Sequence, residues 1–172
     1  MQIPIMFELS RKKVLVIGGG KTSLRIIKRL KEFYASVVCV SKAFEPKFQD
    51  LKSVTCTEEI LRHNKINTDH FTHIDMVIVT TNNTILNEKI YDYCKSKQIL
   101  CMTTHKNGPK DFDFMESEQR HGLLLAASTH GANPAFSSEI INKFMDSIDH
   151  ETIKRLEMLI EEKQLISSLT KK

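Results

Sequence analysis

An α/β fold built on a parallel sheet is what this sequence predicts, and three features predict it. The unbroken apolar run Val14-Leu15-Val16-Ile17 suits a strand covered on both faces. Glycines follow at 18, 19 and 20, and apolar residues then recur at helical spacing. Short buried runs and helical patterns go on alternating as far as Thr103, as parallel β-α-β units require.

In the first helix Ile26, Ile27, Leu30, Phe33 and Tyr34 share a face, with Arg25, Lys28, Arg29 and Lys31 filling the other. Ser36 to Ser41 reads as a second buried strand. Residues 44–52 suit a short helix and Val54 to Thr57 a short strand. From Glu58 to His73 the pattern is irregular and polar, hence helical turns and loop. Asp75 to Thr81 is a strand with a polar end, after which Asn82 or Asn83 can cap a helix whose Leu86, Ile90, Tyr93 and Cys94 share a face. Ile99 to Thr103 is the fifth strand.

From His105 the character changes. KNGPKD is a turn-rich break, and Phe112 to Met115 and Leu123 to Thr129 read as two strands joined by SEQRHG. Gly131 and Pro134 open a helix with Phe136, Ile140, Ile141, Phe144, Met145 and Ile148 on one side. A last amphipathic helix, about 151 to 169, carries Ile153, Leu156, Leu159, Ile160, Ile166 and Leu169. A hairpin and two helices are too little to enclose a core alone, so packing on the first domain or on a second subunit is expected. The expected organisation is a nucleotide-binding domain over residues 1–111, a small α+β dimerisation segment over 112–150, and a short C-terminal helix within 151–172.

Strand, glycine turn and helix in that order make a phosphate cradle. Gly18 permits the tight turn, Gly20 lets backbone approach a pyrophosphate, and the helix amino terminus offers N–H groups to anionic oxygens. The spacing Gly18-x-Gly20-x-x-Ser23 puts serine at the third small position. An ordinary strand-to-helix turn is the competing reading, but the buried strand before and amphipathic helix after are the context a dinucleotide site requires. The domain is therefore expected to be Rossmann-type. Gly18, Gly19, Gly20, Lys21, Thr22 and Ser23 would hold the cofactor, joined by Ser41 and Lys42 at the end of the second strand and Thr80, Thr81 and Asn82 at the polar end of the fourth. Ser41 and Lys42 stand where an acidic residue would bind ribose hydroxyls. Lys42 could favour a 2′-phosphate or be merely solvated, which leaves NAD and NADP both open.

Composition excludes other classes. With 172 residues, 41% hydrophobic and 27% charged, the chain has the make-up of a folded globular protein. A net charge of +4 with no basic block argues against a nucleic-acid partner and suits an anionic small molecule. Cys39, Cys56, Cys94 and Cys101 lack zinc-site spacing, and His63, His70 and His73 read as scattered surface residues rather than a metal cluster, so no metal ligands are assigned. The opening residues lack a signal-peptide apolar region and no window approaches a membrane span, so a cytoplasmic protein without a membrane partner is expected.

With both halves read, the sequence resembles the precorrin-2 dehydrogenase and sirohydrochlorin ferrochelatase family, which includes the amino-terminal part of siroheme synthase. Ile3-Pro4-Ile5 and Phe7-Glu8-Leu9 look like its short opening strand. GGGKTSLR, from Gly18 to Arg25, resembles its GGGxVAxRK, and TTNNTILN, from Thr80 to Asn87, its ATDDxxxN. Asp111-Phe112 resembles the DF of its link segment, and LLLAASTHGANP, from Leu123 to Pro134, its LxIAISTGGxSP. The five pieces fall in order over residues 3–134.

The resemblance implies a homodimer that takes two hydrogens from a tetrapyrrole, precorrin-2, giving sirohydrochlorin, with NAD as hydride acceptor. Some members also insert Fe²⁺. Such chemistry needs a positioned nicotinamide, a proton acceptor and cationic groups for substrate carboxylates. Lys106, Lys110, Arg120 and His121 are candidates for the last role, solvated side chains being the alternative. His105 falls on the position of a family aspartate in a segment like NVVD, where it could serve as base, bind a metal or mark lost activity. Asp111 or Asp113 could substitute if the loop folds back. Thr129 takes the place of a family serine and is, with His105, the catalytic candidate; His130 replaces a glycine beside it. Asn82 and Asn83 replace aspartates, and the helical region ending at Lys172 is short for the family. A weakened or inactive homologue that binds a nucleotide, a tetrapyrrole or a metal ion is thus the alternative to a dehydrogenase.

Overall fold

A computed structural model describes residues 2–169, which fall into two compact units, the chain passing from the first to the second between Asp113 and Phe114. The first unit holds a five-stranded parallel sheet of β1 (Lys13–Ile17), β2 (Ser36–Ser41), β3 (Val54–Glu58), β4 (Met76–Val79) and β5 (Leu100–Thr103), in the order β3-β2-β1-β4-β5. Val14 pairs with Val37 on one side and Met76 on the other, and Ile17 with Val40 and Val79. The central strand is apolar throughout because both its faces are covered: Val14, Leu15 and Val16 are fully buried. Helix α1 (Lys21–Glu32) buries Ser23, Leu24, Ile26, Ile27 and Leu30. Helix α2 (Thr84–Ser96) buries Leu86, Asn87, Ile90 and Cys94, and is capped by Asn83, whose side chain accepts from the Leu86 amide at 3.0 Å.

Three expectations for this unit are corrected. Helix α1 stops at Glu32: Tyr34 takes φ +59°, which turns the chain into β2 and leaves Phe33 and Tyr34 exposed instead of on the buried face. Residues 44–52 form only a 3₁₀ turn, Pro46–Asp50, which buries Phe48. Residues 3–9 form no strand. Pro4 lacks a ladder donor, and Ile3, Ile5, Met6 and Phe7 stay exposed. Between β3 and β4 a second 3₁₀ turn, Thr68–Phe71, anchors the irregular stretch by burying Phe71.

The chain beyond β5 doubles back. Met102 bridges Lys110 in antiparallel sense, the Asp111 amide donates to the Cys101 carbonyl at 2.9 Å, and the Gly108 amide closes a turn on the His105 carbonyl at 3.0 Å.

The second unit pairs β6 (Glu116–Arg120) with β7 (Leu123–Ala127) antiparallel, followed by α3 (Pro134–Ser147) and α4 (His150–Leu169). The expected first strand, Phe112 to Met115, and the expected turn SEQRHG are both displaced: SEQR is itself strand. His121 at φ +52° and Gly122 at φ +78° form a two-residue turn of the kind that matches strand twist, and that turn sets the register. The apolar side expected on α3 is divided. Ile141 and Met145 are buried with Ser137 on the helix that packs against β6 and β7, whereas Phe136, Ile140 and Phe144 are exposed. In α4 nothing is buried; Ile153, Leu156 and Ile160 are half-buried and Leu159, Ile166 and Leu169 exposed. Residues 170–172, the tip of the expected C-terminal segment, lie outside the described residues.

Candidate functional site

The glycine turn sits at the carboxyl edge of the sheet, and each glycine has a separate reason to lack a side chain. Gly18 has φ +126°, and a Cβ there would overlap the Thr80 hydroxyl. A Cβ on Gly19 would overlap the Ala43 carbonyl oxygen, because the loop after β2 lies against it and the Glu45 amide donates to the Gly19 carbonyl at 2.8 Å. Gly20 is different: a Cβ would meet nothing within 4 Å. Two glycines are filled in by protein, and the third faces open space.

That open space lies over the amino terminus of α1. Gly20 is its N-cap, no side chain caps the helix, and the first turn holds no acidic residue. The leading amides therefore remain available to an anion, with the helix dipole reinforcing them. The residues present fit a dinucleotide pyrophosphate.

Beneath the turn, Ser23 is fully buried and its Oγ lies 2.6 Å from Thr80 Oγ1. The Thr80 hydroxyl donates to the Ile17 carbonyl at 3.0 Å, so the bond between the two hydroxyls is donated by Ser23. Thr80 thereby joins β1, α1 and the end of β4. Ser41 turns its hydroxyl onto the Ala43 carbonyl at 2.7 Å, shaping the loop that packs on Gly19. Lys21, Thr22, Lys42 and Asn82 are exposed.

Farther along the edge, the Thr81 hydroxyl donates to Asn87 Oδ1 at 2.5 Å, and Asn87 Nδ2 donates back to the Thr81 carbonyl at 2.9 Å. The same Nδ2 lies 3.5 Å from Nδ1 of His105, which is half-buried. A Cβ on Gly108 would overlap the His105 ring and the Thr103 hydroxyl, so glycine there makes room for the imidazole. Asp111 is committed elsewhere: its carboxylate accepts the Cys101 amide at 2.9 Å and the Tyr91 hydroxyl at 2.7 Å. That bond, more than desolvation, pushes the Tyr91 phenol up to about 12. Asp113 pairs with Lys110. The loop does fold back, yet it brings neither carboxylate in as a free base.

Against this geometry stand the similarities to known proteins. Residues 5–115 match the NAD_binding_7 family model, described as "Putative NAD(P)-binding". The chain belongs to this NAD(P)-binding family. It is 26% identical over 132 residues to a siroheme synthase of Zymomonas mobilis, covering 77% of this chain and 28% of that protein. A precorrin-2 dehydrogenase of Priestia megaterium is 24% identical over 166 residues, covering 96% of this chain and 80% of that one. The solved structure of SirC, precorrin-2 dehydrogenase, superposes with a TM-score of 0.70 at 20% identity, over 93% of this chain and 78% of that chain, and so shares the fold. The chain thus spans less than a third of the length of the first of these relatives.

Within this NAD(P)-binding frame the expected cofactor residues Gly18, Gly19, Gly20, Lys21, Thr22, Ser23, Ser41, Lys42, Thr80, Thr81 and Asn82 all lie at or just past the carboxyl ends of β1, β2 and β4, with Ser41 the last residue of β2. His105 follows β5. Thr129 belongs to the second unit, where its hydroxyl accepts the Asn133 amide at 2.8 Å and shapes a turn in which His130 and Gly131 take positive φ. Among the four cationic candidates, Arg120 is held by Asp146, Glu118 and Asn142, His121 by Glu157, and Lys110 by Asp113. Lys106 has no partner among the described residues. The sequence marked Asn87 only as the last residue of the TTNNTILN resemblance and Gly108 only as part of a turn-rich break, and gave neither a role in the site. A polar residue beside Leu86 on the buried face of α2 was the available signal for the first; for Gly108, whose role lies in a fold-back, there was none.

The remaining groups are structural. His70 pairs with Glu59 at 2.7 Å. Among the described residues no three His, Cys, Asp or Glu are gathered to hold a metal, and no helix is long and apolar enough to cross a membrane. Burial, with Cys56 alongside as the smaller cause, pushes the Cys39 thiol up to about 12. The Cys101 thiol is pushed far up by its hydrogen bond with Cys94 and by burial.

Proposed function

We propose that this chain is an NAD-dependent dehydrogenase that converts the tetrapyrrole precorrin-2 to sirohydrochlorin in siroheme synthesis. The observation that carries the nucleotide part is the uncapped amino terminus of α1 behind Gly20, open where Gly18 and Gly19 are filled in. Backbone amides of the glycine turn and α1 would hold the pyrophosphate; the Thr80-Ser23 bridge would keep that turn in place. When bound, the cofactor supplies an acceptor for a hydride; NADP remains an alternative because the loop after β2 presents Lys42. His105 and Thr129 are the proposed groups acting on the substrate, with Lys106 available to a substrate carboxylate. The similarity to precorrin-2 dehydrogenases supports the choice of substrate.

The test is an anaerobic assay with precorrin-2 and either nucleotide, followed by absorbance. Catalytic formation of sirohydrochlorin with one NADH or NADPH per turnover is expected. Confirmed binding of precorrin-2 without nucleotide reduction would overturn the proposal.

One observation favours a second reading, that of a non-catalytic nucleotide, tetrapyrrole or metal binder. His105 stands in the aspartate's place, and Asp111 is tied to Cys101 and Tyr91. If His105→Asp turns over faster than the parent, the histidine marks a degraded site; loss of sirohydrochlorin absorbance on adding Fe²⁺ or Co²⁺ would instead identify a chelatase.

The exposed stripe Phe136, Ile140 and Phe144 on α3 supports assembly as a homodimer. A cytoplasmic location belongs to the same proposal, as does the division into a nucleotide-binding domain, a dimerisation segment and a C-terminal helical segment.

A further inference from the structure

We propose that Asn87 is a positioning residue that fixes the proton of neutral His105 on Nε2, making the ring a hydrogen-bond donor to a carboxylate or carbonyl oxygen of the substrate. The inference deepens the dehydrogenase reading and rests on it for the identity of that substrate.

The orientation of the Asn87 amide follows from its neighbours. Its oxygen accepts the Thr81 hydroxyl, and its nitrogen faces the Thr81 carbonyl, 2.9 Å away. Exchanging the two atoms would set oxygen against oxygen, so the nitrogen is assigned by chemistry. One amide hydrogen is used on that carbonyl. The other belongs to a fully buried residue, and Nδ1 of His105 lies 3.5 Å from the nitrogen that carries it. A buried N–H seeks an acceptor. A proton on Nδ1 would instead oppose two donors.

The ring is also held in place. It packs where a side chain on Gly108 would stand, and the Thr103 hydroxyl beside it is committed to the Pro109 carbonyl at 2.8 Å. With Nδ1 as the acceptor, neutral His105 carries its hydrogen on Nε2, for which there is no partner among the described residues. Such a ring cannot accept a proton at Nε2, and its lone pair at Nδ1 is turned onto Asn87. The proton released from substrate therefore goes to another group or to water, while His105 grips an oxygen.

The ring state can be read without turnover, so failure of this inference and failure of the dehydrogenase reading are separable. In ¹⁵N-labelled protein at about pH 9, where an ordinary imidazole is neutral, long-range ¹H–¹⁵N spectra show which nitrogen holds the proton, with His105→Gln giving the assignment. His105 is expected wholly as the Nε2–H form, and Asn87→Asp, which substitutes an acceptor, is expected to move the proton to Nδ1. A mixture of forms in the parent protein, or an Asn87→Asp ring still protonated on Nε2, overturns the proposal. If Asn87→Asp does not fold, the parent spectrum alone decides. In the precorrin-2 assay His105→Leu is expected chiefly to raise KM; a loss confined to kcat, of the 10²- to 10⁴-fold or so that general bases contribute, would restore the base role.

Discussion

The hydroxyls of Ser23 and Thr80, 57 residues apart in sequence, lie 2.6 Å from each other directly beneath the glycine turn. The third small position of the nucleotide motif is thereby used for a polar clasp between helix and sheet. Thr80→Val removes the acceptor from a buried serine and is expected to cost about 1–3 kcal/mol. Ser23→Ala with Thr80→Val should cost less than the sum of the single changes, since the pair then leaves nothing unsatisfied. Urea unfolding of the four proteins measures this, and strict additivity would show that the clasp contributes nothing.

The glycines should separate by role. Gly18→Ala forces a side chain into φ +126° against Thr80 and is expected to destabilise by at least about 1–3 kcal/mol. Gly20→Ala meets open space and should cost under about 1 kcal/mol in stability. It should nonetheless weaken NAD(P) binding by about tenfold or more, roughly 1.4 kcal/mol. Calorimetric titration showing unchanged affinity in Gly20→Ala would place the nucleotide elsewhere.

Alkaline pH should weaken the fold. Because the Cys39 thiol is pushed up to about 12, the folded chain keeps its proton while the unfolded chain gives it up near the usual thiol value of about 8.5. The contribution is whole below that lower value and is lost as pH rises towards the upper one. Denaturant midpoints should therefore fall between about pH 8.5 and 10.5, and less steeply in Cys39→Ala. Equal slopes would acquit this thiol.

Asp111 is expected to act on the fold and not on the reaction. Asp111→Asn removes the negative acceptor that holds the Tyr91 phenol up to about 12. Ultraviolet titration should then lose one late-ionising tyrosine. A large drop in kcat with Tyr91 still titrating late would make Asp111 a reacting group after all.

Assembly should depend on α3. Phe136, Ile140 and Phe144 recur at intervals of four and are 51%, 45% and 55% exposed, so replacing all three by serine should convert a dimer to a monomer in sedimentation at micromolar concentration. A parent protein already monomeric there would remove the stripe from the interface.

Much of the first unit was legible because its signals are local. Val14 to Ile17, Ser36 to Ser41 and Ile99 to Thr103 announce buried strands by composition alone, and each lies where a strand formed, with ends within a residue. The glycine triplet announced its turn because no other residue tolerates φ +126° in contact with Thr80. The second unit was harder. ESEQR carries no β-strand pattern, and it becomes a strand only because the His121-Gly122 turn folds it onto Leu123 to Ala127.

By itself, then, the sequence determined the parallel sheet, the glycine turn and the set of polar residues at the sheet's edge, because buried strands and tight turns restrict residue type position by position. Only the tertiary structure decided what those polar residues do. It tied Asp111 to Cys101 and Tyr91, closed Arg120 onto Asp146, and set Asn87 beside His105. Hydrogen-bond partners far apart in the chain are chosen by the packing of helices and strands, and no local pattern of residues encodes that choice.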